Sequence, residues 1–587
     1  IQKRKERLMK RDSPGQSILL FAFLYIPVLW LSLLAAQSLS DGLPEFLTSF
    51  TQAMGSPFQI TWVEHSLKTI LICSAIYIIA VAVYLSSRRQ TRDGEEHGSA
   101  RWESPHRVNA MFAQKESIPL TRHVRLGMDS YKHQRNLNIL VIGGSGASKT
   151  RGFCLPSILC ANSNYVVTDP KQEILNATGN LLKDKGYDIR VLNLVNLEAS
   201  DGYNPFRYLK DETDVMRMVN CLVTATTPAR SHEIDPFWTR AETALLQALA
   251  FYLFYEAPEY EQNFSQVCRM LSFAEAREND EEYMSALDML FEALEREEGP
   301  EHIAVKQYKV YRQAKGKTAS SILVSLAVRL APFNIPQIQR ITGEDEMDLW
   351  SLGEEKAALF AVIPDNHATF NFLVSLLYQQ AFMCLYYSAD QIHHGRLPRH
   401  VRFILDEFAS VKLEGYTREL ATMRSRNISA CTVIQNMAQI KEIYKDSWET
   451  IPGNSDTILY LGGNEQETHK YISTALGKAS IQTKTHGQTH GSRGSYSTNT
   501  QITGRELLTP DEVRLLDNRC AILLIRGARP CMDEKYPLMS HPNISYTIMS
   551  GAPPYSHKKR LYYGRPFLVP ETIPTTETEK ENPHEDE

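Results

Sequence analysis

The run Asn138-Ile139-Leu140-Val141-Ile142-Gly143-Gly144-Ser145-Gly146-Ala147-Ser148-Lys149-Thr150 joins an apolar, β-branched stretch to a glycine-rich turn ending in Lys-Thr. Leu155, Ile158 and Leu159 follow at helical spacing, so the order reads strand, loop, helix. Residues of these types in this order are expected to hold phosphate, the alternative being a plain glycine-rich strand-to-helix turn. Backbone N–H groups converge on phosphate oxygens, a lysine reaches the outer phosphates, and a hydroxyl ligates Mg²⁺. Gly143, Gly144, Gly146, Lys149 and Thr150 fit those roles, and Ser145, Ala147 and Ser148 complete the nucleotide-binding loop. One position departs from the usual G-x4-G-K-[S/T] spacing: Ser148 stands where the second glycine is expected. A Cβ there either crowds the phosphates or strains the turn, according to the backbone angles. Gly316-Lys317-Thr318 offers a rival match but has Tyr311 at the first glycine position and no strand-like run before it.

A second chemical motif is Val401-Arg402-Phe403-Ile404-Leu405-Asp406-Glu407, an apolar strand that delivers two carboxylates to a sheet edge. Asp406 suits the metal's water shell or Thr150, and Glu407 suits orienting and deprotonating an attacking water. Ala430 to Ile434 forms another strand, ending at Gln435, where a glutamine can sense a γ-phosphate. Between them lies Met423-Arg424-Ser425-Arg426, in which Arg424 or Arg426 is either a finger for a neighbouring subunit's nucleotide or a solvated surface charge. Asp169, in Asp169-Pro170-Lys171 at the end of a further strand, either caps its loop or lines the site.

The elements that must position these groups alternate in kind. Strand-like runs at Asn138–Ile142, Tyr165–Thr168, Ile189–Leu194, Ala357–Ile363, Val401–Leu405, Ala430–Ile434, Thr457–Leu461 and Ala521–Ile525 are separated by helical patterns, as in an open parallel α/β sheet. The alternation stops near Tyr203-Asn204-Pro205-Phe206, and helices are expected from there to about Arg340. The expected organisation is an anchor at 1–92, a nucleotide-binding domain in two parts at 93–208 and 341–550, an all-α domain at 209–340, and an acidic disordered tail at 551–587. Asp93 to Ser104 reads as a linker with Trp102 docked, and Gln482 to Gln501, rich in Ser, Thr, Gly, Gln and His, as a flexible loop. His486 and His490 are spaced for a metal only on a helix, and this segment does not read as one, so no metal site is expected there.

At 587 residues the chain exceeds one core, and with 43% hydrophobic and 22% charged residues most of it is ordinary globular protein. A net charge of −5 excludes a protein that coats nucleic acid indiscriminately, so any DNA contact must be local. The nine cysteines are scattered singly, without C-x-x-C, which fits a reducing compartment. Two stretches, about 17–36 and 69–86, are apolar enough to cross a bilayer. Lys3, Arg4, Lys5, Arg7, Lys10 and Arg11 precede the first and Arg88, Arg89 and Arg92 follow the second, so both ends are expected to be cytoplasmic. Ten acidic residues between Glu275 and Glu298, and seven between Glu571 and Glu587, are solvated surface or docks for a basic partner.

The residues Phe403 to Ala409, Met423 to Ile428, Ile434-Gln435, Gln439, Asn454, Leu461-Gly462-Gly463, Glu467-Thr468 and Tyr471 to Gly477 together resemble the type IV secretion coupling proteins, the membrane-anchored ATPases of conjugative elements. The resemblance implies a RecA-like P-loop ATPase domain of α/β class, interrupted by an inserted all-α domain and carrying an N-terminal two-helix transmembrane anchor. It implies ATP and Mg²⁺ as cofactors and a homo-hexamer at the plasma membrane. It further implies a relaxase with single-stranded DNA as cargo, and the ATPases and inner-membrane components of the secretion channel as partners. By motif, Lys149 and Thr150 bind phosphate and Mg²⁺, Asp406 the metal, Glu407 the water, Gln435 the γ-phosphate, and Arg424 the neighbour's nucleotide. Two other readings stay open. One is a slowly hydrolysing docking scaffold for the relaxosome, marked by Ser148. The other is a partition or division translocase of related core, which would carry a sequence-reading DNA module at its C-terminus, where the acidic run offers none.

Overall fold

The computed structural model describes residues 14–39, 46–87, 95–227, 236–277, 283–489 and 495–557, and the chain divides into two compact units, residues 1–96 and 97–587. In the first unit, helices Pro14–Ser38 and Ser66–Ser87 run antiparallel. Tyr25 Oη and Ser74 Oγ lie 2.6 Å apart, Tyr77 Oη donates to the Phe21 carbonyl at 2.7 Å, and Trp30 Nε1 donates to Pro57 O at 3.0 Å. Leu20–Ser38 and Ser66–Ser86 are long and apolar enough to cross a membrane. Side chains such as Phe23, Ile78 and Ile79 face outward, as lipid-facing residues do. Pro27 sits inside the first helix. The basic residues before the first span and after the second lie outside the described residues.

The second unit is built on a sheet. In chain order its strands are β1 (Ser117–Pro119), β2 (Arg125–Gly127), β3 (Ile139–Ile142), β4 (Asn164–Pro170), β5 (Asp188–Asn193), β6 (Ala357–Ile363) and β7 (Val401–Leu405). They continue with β8 (Ile428–Ile434), β9 (Thr457–Tyr460), β10 (Lys478–Thr489), β11 (Ser495–Glu506), β12 (Cys520–Ile525) and β13 (Cys531–Glu534). Nine of them form one sheet in the order β13-β12-β9-β3-β8-β7-β4-β6-β5. From β9 to β5 every pairing is parallel, whereas β12 runs antiparallel to both β9 and β13. The parallel strands are near-continuous apolar runs because both faces are covered. Leu140, Ile142, Phe403 and Leu405 join the core shared with the helices between β5 and β6, and Ile139, Val141, Ile404 and Val433 join the core on the other face. Every strand expected from the sequence is present, within a few residues at each end.

Between β5 and β6 the chain is helical, from Glu212–Thr226 through Pro236–Glu256, Phe264–Ser272, Ala286–Glu298, Ile303–Arg312 and Gly316–Leu330 to Pro336–Gly343. The turn at Asn204-Pro205 is closed by the Asn204 side chain, which accepts from Phe206 N at 3.1 Å, and by Tyr203 Oη donating to Gln380 at 2.6 Å. Of the acidic residues of 275–298, Asp288 is buried in a capping box with Ser285 and accepts from Tyr308 Oη at 2.7 Å. Its charge therefore serves the helix rather than a partner.

Three expectations need correction. The described residues of Gln482–Gln501 are strand rather than loop: β10 and β11 pair antiparallel over their full length, from Lys478↔Glu506 to Thr489↔Ser495, with 490–494 and thus His490 outside the described residues. The stretch before Ser104 is no free linker, since Ala100 N donates to Lys478 O at 3.0 Å and Glu103 N to Pro530 O at 2.8 Å, although Trp102 does pack on the core. Residues 551–557 lie back on the second unit, where Tyr555 N donates to Asn176 O at 3.0 Å and His557 pairs with Asp201 at 2.9 Å. Residues 558–587, with their acidic run, lie outside the described residues.

Candidate functional site

The sheet order brings the chemistry together. β3 leads into the glycine-rich loop, β8 lies next to it and ends at Gln435, and β7 lies one strand further and ends at Asp406-Glu407. Because the strands are parallel, all three tips share the carboxyl edge, where open α/β sheets bind ligands.

The loop is anchored at its base, Gly143 N donating to Ile434 O at 3.1 Å and Gly144 N to Gly462 O at 2.8 Å. A Cβ on Gly143 would meet Leu461 and Ala147 Cβ at 3.1 Å, so any side chain there would have to push its neighbours aside by a few tenths of an ångström. Ser148 adopts φ +68°, in the left-handed region, and its side chain is exposed. Of the two outcomes that the sequence leaves open, the turn is therefore strained, at about 1–2 kcal/mol. Lys149, only 8% exposed, points its ammonium back at the Gly144 carbonyl at 3.3 Å. The following residues, Thr150–Cys154, form one wide π turn before helix Leu155–Leu159, a deviation often found at functional sites.

Thr150 Oγ1 donates to Asp406 Oδ2 at 2.7 Å across a sequence separation of 256 residues. Asp406 is 3% exposed. Burial and the neighbouring Glu407 charge push its carboxyl above the usual range, opposed by the Thr150 hydroxyl and Lys149. A hydroxyl and a carboxylate side by side offer the hard oxygen donors that Mg²⁺ prefers, and the Lys149 ammonium beside them suits phosphate rather than the metal. Glu407 also takes a left-handed φ of +52°, and Gln435 Nε2 holds its two carboxylate oxygens at 3.1 and 3.0 Å. Gln435 is itself fixed by Gln439, whose Oε1 accepts from the Gln435 backbone N–H at 2.8 Å. The arrangement can hold phosphate, keep a cation next to Thr150 and Asp406, and present a carboxylate to water.

Asp169 caps its loop. Its carboxylate accepts from Ile174 N at 3.0 Å and Leu175 N at 2.7 Å, and burial raises it to about 7 despite those bonds. The arginines divide as well. Arg426 is bound bidentately to Asp390 at 2.9 and 2.7 Å and lies over the Tyr386 ring, whereas Arg424 is exposed and donates to the Ser130 carbonyl at 3.2 Å. Arg424 lies before the first residue of β8, at the sheet edge opposite the loop. Sequence reasoning missed Lys535, whose ammonium donates to the Ala147 carbonyl of the loop at 3.0 Å. It belongs to no motif and lies 388 residues away, so no local signal marks it.

Comparison with known proteins follows the same lines. Residues 106–584 match the family described as type IV secretory system conjugative DNA transfer. Protein VirD4 of Rhizobium radiobacter is 22% identical over 493 residues, which is 79% of this chain and 66% of that protein. A probable conjugal transfer protein TraG of Sinorhizobium fredii is 21% identical over 67% of this chain and 60% of its own length. The chain thus spans about two thirds of the length of the curated relatives it matches. Among solved structures, the unbound bacterial conjugative coupling protein TrwBdeltaN70 superposes with TM-score 0.55 at 16% identity, over 74% of this chain and 92% of that one. TrwB in complex with ADP and Mg²⁺ superposes with TM-score 0.56 at 17% identity, over 76% and 94%. At such identities the likeness is one of fold, the RecA-like α/β architecture expected from the sequence. With the family match covering most of its length, the chain belongs to the type IV secretory system conjugative DNA transfer family.

Proposed function

We propose that this protein is a membrane-anchored ATPase that receives a relaxase bound to single-stranded DNA and delivers it to a type IV secretion channel. The observation that carries the reading is the Thr150–Asp406 hydrogen bond beside Lys149, with Glu407 held by Gln435 at the next strand tip. In this reading Lys149 and the loop N–H groups bind the phosphates of ATP, and Thr150 with Asp406 holds Mg²⁺. The cation, when bound, screens charge on the β- and γ-phosphates. Glu407 accepts the proton of the attacking water, and Gln435, already bonded to Glu407, passes the presence of the γ-phosphate to it. The TrwB structures solved with the non-hydrolysable analogue ADPNP and with ADP and Mg²⁺ support the choice of ligands.

The proposed organisation is the anchor at 1–92, a nucleotide-binding domain at 93–208 and 341–550 and an all-α domain at 209–340, with both ends of the anchor in the cytoplasm at the plasma membrane. Arg424, on the edge away from its own loop, suits a neighbour's nucleotide in a homo-hexamer. A hexamer with a basic lumen reconciles DNA handling with a net charge of −5. The test is ATP turnover by the full chain in detergent, with and without single-stranded DNA. The expected result is DNA-stimulated hydrolysis that falls at least a hundredfold in Glu407→Gln, while nucleotide binding is retained. Nucleotide binding by the parent without turnover at any DNA concentration would replace the pump with the docking scaffold.

A further inference from the structure

The first apolar helix of the first unit is covered unevenly. On Pro14–Ser38, residues such as Leu20, Phe23 and Ile26 are exposed, whereas Ser32, Leu34, Ala36 and Ser38 near its end are at most 2% exposed. The cover comes from the segment that joins the two helices. Helix Phe46–Met54 packs on Pro14–Ser38, and the chain after it is tied to the same helix at two levels. Gln37 Nε2 donates to the Thr61 carbonyl at 3.0 Å, and Trp30 Nε1 donates to that of Pro57 at 3.0 Å. Gln37 and Trp30 are two turns apart, so the joining segment reaches about 10 Å along the helix instead of standing off its end.

The surface of that segment is apolar and uncharged. Leu47, Phe58 and Trp62 are 77%, 89% and 69% exposed, Met54 and Ile60 are exposed as well, and no residue from Phe46 to Val63 carries a charge. Exposed apolar surface of this kind marks a contact with a partner or a membrane, and its depth tells which. Tyr77 bonds to Phe21 and Tyr25 to Ser74, and the same antiparallel register carried outward sets Lys68 level with Trp30. Lys68 is exposed, and an exposed ammonium on a span marks the limit of the hydrocarbon. About 17 residues, 14–30, lie below that level, enough to cross a bilayer. Leu31–Ser38 and the joining segment then lie in the layer of headgroups and acyl carbonyls above it, the layer that tryptophan favours. Gln59–Val63 belongs to no helix or strand, so its N–H groups need the polar partners of that layer, which the hydrocarbon lacks.

Resting on the membrane-anchor reading above, we infer that Phe46–Trp62 is a collar lying in the outer interfacial layer of the membrane, with Leu47, Phe58, Ile60 and Trp62 set among lipid acyl chains near their carbonyl ends. This surface is continuous with the lipid-facing sides of the two spans, and its occupant is lipid rather than a second protein.

Fluorescence quenching tests this on the full chain, reconstituted in vesicles of phosphatidylethanolamine and phosphatidylglycerol, with an environment-sensitive fluorescent amino acid in place of Phe58, Trp62 or Ile79. All three side chains are exposed, so the probe displaces no packing. The quenchers are lipids carrying a nitroxide near the carbonyl end or near the methyl end of the acyl chain, and aqueous iodide. At positions 58 and 62 the shallow nitroxide is expected to quench at least about twofold better than the deep nitroxide or iodide. Iodide dominating at either position puts the segment in water, the deep nitroxide dominating makes it part of the span, and protection from all three quenchers puts a second copy of the chain on it; each result overturns the collar. At Ile79, on the second span, the deep nitroxide should quench best. If iodide quenches there instead, the anchor reading itself falls, and the collar with it.

Discussion

Asp169 and Asp406 stand at the tips of neighbouring parallel strands, the register Thr168↔Leu405 placing them side by side. Both end apolar runs, both are almost wholly buried, and in both burial raises the carboxyl. Their partners differ. Asp169 turns onto the start of helix Glu173–Asp184 and takes two backbone N–H groups, which consumes its acceptors in holding a helix. Asp406 takes a single side-chain hydroxyl and its own next backbone N–H, and Lys149 is the cation nearby. A carboxylate closed in by backbone is structure; one held by a phosphate-loop hydroxyl is available for chemistry. The lesson is that strand-tip acids are told apart by what their second oxygen meets.

The comparison breaks first on turnover. Asp406→Asn is expected to lower ATP hydrolysis at least a hundredfold, as loss of a metal-holding carboxylate does, while Asp169→Asn stays within about fivefold in the same assay; similar losses would mean that both acids serve the site. It is sharpened next on stability. Asp169→Ala strands two buried N–H groups, a cost of about 1–3 kcal/mol, to be read as a melting temperature lower by several degrees, and Asp406→Ala should cost less.

The acidity of Asp169 supplies a third measurement. Its carboxyl is raised to about 7 in the folded chain, against about 3.9 when unfolded. Between those values the folded chain keeps a proton that the unfolded chain has released. The stability contributed by this group therefore falls as pH rises from about 4 to about 7 and is level above that. Melting temperatures of the parent and Asp169→Asn across that window should converge toward the acid end, and parallel curves would refute the shift. The smallest effect is at the loop: Ser148→Gly releases the left-handed strain but adds freedom to the unfolded chain, a net gain of about 0.5–1 kcal/mol visible as a slight rise in melting temperature.

Much of the site was legible from residues alone. Gly143 to Thr150, Asp406, Glu407 and Gln435 each follow an apolar run ending in polar groups, and local patterns of that kind survive folding because strand propensity and burial agree. The β10–β11 ribbon was not legible. Apart from Ala479, Ile481, Tyr496 and Ile502 its residues are polar or glycine, so no alternation marks it, and Ser, Thr and Gly read as loop; the β-branched threonines at 483, 485, 498, 500 and 503 were the available signal. The roles of Asp169 and Arg426 were left open because each depends on a partner distant in sequence or on a turn geometry, Arg426 on Asp390 and Asp169 on the backbone at 174 and 175.

By itself the sequence determined the eight apolar strands of the sheet, the loop, the two apolar spans and the inserted helices, since each is set by side-chain pattern and backbone preference over a few neighbours. Only the tertiary structure decided that β8 lies between the loop strand and the carboxylate strand, that Thr150 meets Asp406 rather than Asp169, and that Lys535 reaches Ala147 from the far end of the chain. Those are pairings between distant segments, fixed by the packing of a whole sheet, and no local pattern encodes them.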